Sequence, residues 1–67
     1  MNKFGLSQKV STFDPNMEPL VPVDTVGTIS KVYEDHPAGV GYDVTVNTTE
    51  GTVEDFFFHE FELTEAK

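Results

Sequence analysis

Polar and apolar residues alternate strictly over residues 42–47, with Tyr42, Val44 and Val46 on one side of an extended chain and Asp43, Thr45 and Asn47 on the other. This spacing predicts a half-buried strand. No stretch keeps apolar residues at i, i+3, i+4 and i+7 for three turns, so no helix is expected; short β-branched and aromatic runs recur instead between glycine and proline breaks. Residues 9–13 read as a first strand, ended by the turn chemistry of Asp14, Pro15 and Asn16. Residues 17–24 set Pro19 and Pro22 among apolar residues and predict an extended loop that cannot join a central ladder. The second strand is expected over 26–33. Its large apolar residues at 26, 29 and 32 break the alternation, which predicts a bulge or strong bend. A turn over 34–41, a hairpin connection over 48–51, a fourth strand over 52–58, a tight turn at His59-Glu60-Phe61 and a short last strand over 62–64 complete the reading.

Five short, bent strands without helices predict one all-β domain over residues 1–67. A five-stranded small barrel with a Pro-rich loop between its first two strands is the expected architecture, because closure removes edges that template aggregation. Its expected filling is Val10, Val26, Ile29, Val32, Val44, Val46, Phe56, Phe61 and Leu63, with Phe58 closing one end. Three consecutive phenylalanines cannot all face one core. Phe57, opposite in parity to Phe56 and Phe58, is the residue left for an outer surface, flanked by Asp55 and His59.

Charge narrows the function classes. Twelve acids stand against four lysines, arginine is absent and the net charge is −8. From Tyr33 onward nine acids face one base, Lys67. Nucleic-acid binding relies on cations that neutralise phosphate, so this charge has the wrong sign for it, and an anionic membrane surface is disfavoured likewise. Without cysteine there is neither a disulfide framework nor a thiolate zinc site, which suits a reducing cytosol. No signal-peptide-like apolar run opens the sequence, and none approaches the roughly 20 apolar residues of a membrane helix.

Catalytic patterns fall short, and no enzyme activity is expected. Gly39-Val40-Gly41 begins like a dinucleotide fingerprint but lacks the third glycine and a following helix, so it reads as a flexible turn. His59-Glu60 has leucine where the helical zinc motif needs its second histidine. His36 with Glu34 and Asp35 supplies competent ligand types in a mobile turn without a rigid supporting shell, so no metal and no cofactor is expected. Ser7, Ser11 and Ser30 sit in no nucleophile-elbow context.

The run Val26-Gly27-Thr28-Ile29 with Val32-Tyr33-Glu34-Asp35, then Tyr42-Asp43-Val44 and Val46, then Phe56 and His59-Glu60-Phe61-Glu62-Leu63 resembles the SH3-like small barrels of bacteria. The closing pentapeptide is similar to the end of the SH3-like accessory subunit of photosystem I. The resemblance covers roughly residues 5–64 and implies a docking or accessory role. Family members with a turn like Gly27-Thr28 resemble nucleic-acid-binding barrels, but their basic loops have no counterpart here. The docking role of the photosystem subunit likewise depends on positive residues absent from this chain.

The expected function is therefore a non-catalytic module that docks on a basic protein surface as an accessory or adaptor subunit. Its expected contact residues are Phe57, Asp55, His59, Glu60, Glu54, Glu34, Asp35 and Asp43, since interfaces favour a central aromatic with a charged rim. The alternatives are a phage-type inhibitor whose carboxylates imitate a nucleic acid, direct nucleic-acid binding against the charge, and a homodimer through the Phe56, Phe57 and Phe58 strand.

Overall fold

In the computed structural model, which describes residues 2–66, the alternating segment forms β3, the most buried strand of the sheet. The strands are β1 (Lys9–Thr12), β2 (Val26–Tyr33), β3 (Gly41–Asn47), β4 (Val53–His59) and β5 (Leu63–Glu65). All neighbours are antiparallel, in the order β4-β3-β2-β1-β5. Two 3₁₀ turns, Pro15–Met17 and Glu60–Glu62, are the helical pieces among the described residues. No helix there is long and apolar enough to cross a membrane.

The sheet is open, with β4 and β5 as its two edges, so the expected closure is not seen. The turn Glu60–Glu62 leads the chain away from β4 and delivers Leu63 opposite Thr12, where β5 pairs with β1. The curl that remains still encloses one core: Val10, Ile29, Tyr42, Val44, Val46, Phe58 and Leu63. Phe58 lies at its heart with 0% of its surface exposed, and Phe56 packs against it half-buried.

Two expected core residues lie outside. The register shift in β2 falls between Ile29 and Lys31, so the inward residues are Gly27, Ile29 and Val32, and Val26 is left 52% exposed. Only glycine fits at 27: a Cβ there would stand 2.5 Å from Val44 and 2.7 Å from both Val46 and the Thr45 carbonyl. Phe61 belongs to the second 3₁₀ turn rather than a strand, and its ring points to solvent. Phe4 and Val21 fill the core instead, with Met17 and Leu20 of the Pro-rich loop packed against it.

The N-terminal segment is held by a partly buried polar tie. The Tyr42 hydroxyl donates to Glu60 Oε2 (2.5 Å) and accepts from the Phe4 N–H (3.2 Å), while the Lys3 N–H donates to the same carboxylate (3.0 Å). Burial and the acceptor Glu60 push the Tyr42 phenol up from its ordinary value. The Tyr42 and Lys3 donors hold the Glu60 carboxyl below the usual carboxylate value.

Candidate functional site

The pleat that sends Tyr42, Val44, Phe56 and Phe58 inward sends Gly41, Asp43, Thr45, Asp55, Phe57 and His59 to the outer face of β3 and β4. Cross-strand register then sets two rows. One runs Tyr33, Gly41, His59; the next runs Lys31, Asp43, Phe57. Gly41 leaves the middle of the first row empty, and the Phe57 ring leans diagonally across it. A Cβ on Gly41 would meet that ring at 2.2 Å, so the missing side chain makes the seat.

Around this seat five rings touch in sequence. Phe57 meets Tyr33 edge-on (centroids 5.6 Å), His36 at a tilt (5.0 Å) and His59 edge-on (5.1 Å); His59 stacks nearly parallel on Phe61 at 5.3 Å. Such offset and edge contacts are the favoured aromatic geometries. His36 arrives from the β2–β3 loop, where its Nδ1 accepts from the Ala38 N–H (3.1 Å). Phe61 is 79% exposed and Phe57 37% exposed, which is unusual for two phenylalanines on one face of a small chain. His59 Nδ1 is buried with no hydrogen-bond partner among the described residues, so its position rests on ring contacts and backbone.

Carboxylates rim the ridge. Asp43 accepts from the Tyr33 hydroxyl (2.7 Å), a bond that holds the Tyr33 phenol above its ordinary value. Asp55 accepts from the Thr45 hydroxyl one row further on. Glu34 and Asp35 are exposed in the loop beside His36, Glu34 accepting from the Asn2 amide (2.9 Å). Lys31 Nζ lies 4.9 Å over the Tyr33 ring, so that end of the ridge already carries a cation of its own chain.

Phe57, Asp43, Asp55 and His59 are thus brought onto one face, with Glu34 and Asp35 following His36 at its margin. The other two expected contacts lie apart. Glu60 is engaged by Tyr42 and the Lys3 N–H, and Glu54 has inward parity at the start of β4, where it accepts from the Thr52 hydroxyl (2.7 Å). Tyr33, His36, Gly41 and Phe61 complete the site without having been singled out for it. For Phe61 the flanking Glu60 and Glu62 were an available signal of exposure. Among the described residues no three His, Asp or Glu side chains converge in a metal-holding group. No protein-family model, curated protein or solved structure matches this chain.

Proposed function

We propose that the protein is a non-catalytic, acidic interaction module that docks on a basic protein surface, as an accessory or adaptor subunit in a reducing cytosol. The observation that carries this reading is the ridge of five touching rings, with Phe61 openly exposed and Phe57 37% exposed, rimmed by Asp43, Asp55, Glu34 and Asp35. Arginine suits such a surface, because its planar cation stacks on aromatic faces while its N–H groups reach neighbouring carboxylates. The net charge of −8 adds long-range attraction to a basic partner and opposes contact with nucleic acid. A bent β2 and a last strand that returns to β1 support an SH3-like barrel as the underlying type.

A photo-crosslinking residue in place of Phe61 tests the reading without touching the core. The expected result is a basic protein crosslinked in low salt, lost on raising ionic strength to about 0.5 M, where screening is short-ranged, and lost in Phe57→Ala. If the captured protein is a nucleic-acid-binding enzyme that loses activity, the partner is of the inhibitor type. Crosslinks indifferent to salt and to Phe57 would sink the proposal.

A further inference from the structure

The free edge of β4 has an ordered set of unused backbone groups. At the two ends of the β3–β4 ladder the Thr48 N–H donates to the Thr52 carbonyl (2.8 Å) and the Glu60 N–H to the Val40 carbonyl (3.1 Å). Antiparallel ladders alternate, so the even-numbered residues of β4 bond to β3 and the odd-numbered ones turn their N–H and C=O outward. The His59 N–H confirms the phase: it points away from β3 and is taken by Glu62 Oε1 (2.8 Å). Val53, Asp55 and Phe57 have no such cover among the hydrogen bonds of the described residues. The other edge, β5, is only three residues long.

We infer that β4 pairs antiparallel with β4 of a second copy of this chain, about a two-fold axis through Phe57, joining the two sheets edge to edge. The occupant follows from self-complementarity. In that register Phe57 faces Phe57 and Asp55 faces His59 on the outer side, while Phe56 faces Phe58 on the inner side. Asp55 gains an imidazole opposite it. Moving the axis to Asp55 would set the two Asp55 carboxylates face to face, a pairing that like charges disfavour. Four interchain backbone bonds form, two at Phe57 and one from each Asp55 N–H to the opposite His59 carbonyl, and the His59 N–H stays on Glu62. The two aromatic ridges then run into one, so this inference extends the docking surface without depending on what docks there.

Sedimentation of the full chain between about 10 µM and about 1 mM, the weak limit of specific association, measures the pairing. The expected mass rises reversibly to twice 7.5 kDa. Higher salt strengthens the pairing, because each copy carries −8. Docking on a basic partner weakens with salt, so failure of one reading is separable from failure of the other. Asp55→Pro removes an outward N–H while sparing the chain's own ladder and weakens association about tenfold or more, as two interchain bonds are lost. Phe57→Cys, in a chain that has no other cysteine, forms a covalent dimer on oxidation, whereas Thr64→Cys on the opposite edge does not. A chain still monomeric at about 1 mM, association that weakens with salt, or preferential crosslinking at residue 64 overturns the inference. If Asp55→Pro does not fold, the two cysteine variants decide alone.

Discussion

The two faces of the β3–β4 ribbon share one backbone and one ladder, yet they are built for opposite tasks. Inward, Tyr42, Val44, Val46 and Phe58 are sealed from water. Outward, Phe57 and Phe61 keep their rings in it, held by a glycine seat and by neighbouring rings rather than by a surrounding core. Aromatic content is therefore no guide to burial in this chain. Parity and the space left by a neighbour decide it.

Paired substitutions sharpen that contrast. Phe58→Ala is expected to be the most damaging, at about 3–5 kcal/mol from lost transfer and a cavity; urea unfolding should show the variant largely unfolded, given the modest stability of so short a chain. A cost below about 1 kcal/mol would place Phe58 outside the effective core. Gly27→Ala and Gly41→Ala come next, at about 1–3 kcal/mol each from overpacking. They differ in remedy. Phe57→Ala vacates the seat over Gly41, so a double-mutant cycle should recover most of the Gly41→Ala cost and none of the Gly27→Ala cost, whose obstacles are Val44, Val46 and backbone. Additive costs for Gly41 and Phe57 would show that the ring has another support.

The third comparison is electrostatic and smaller. Because the folded carboxyl of Glu60 lies below its unfolded value of 4.5, its stabilisation is fully present above that value and is lost as pH falls through it toward the folded one. Glu60→Gln lacks this contribution. The stability gap between wild type and variant should be widest near neutrality and shrink as pH falls through 4.5 and below, and a gap independent of pH would contradict the assignment. Phe61→Ala is expected to be smallest, within about 0.5 kcal/mol, as befits a surface substitution. It should nevertheless weaken binding of the basic protein captured through position 61, so that a stability-neutral change separates contact from folding.

Local pattern carried much of the fold. The bounds of β2 and the buried set of β3 follow from periodicity, and the position of the Pro-rich loop follows from proline's missing donor. What the pattern could not carry was the point at which β2 slips, since Val26 and Gly27 exchange places according to whether the extra residue lies before or after Ile29. Choosing between them needs the Val44 and Val46 side chains, from the opposite strand. Phe4 and Val21 escaped for the same reason, being far in sequence from the core they join. In the site, Phe57 was legible from parity alone, whereas Tyr33 and His36 meet it only through cross-strand register and loop path.

The phenol of Tyr42 connects the beginning of the chain to the bend that precedes its last strand, by way of Phe4, Lys3 and Glu60. Release of the N-terminal segment and release of the Glu60 bend break the same small cluster of bonds. The two are thus coupled, and amide exchange at Phe4 reports on the Glu60 bend, 56 positions away.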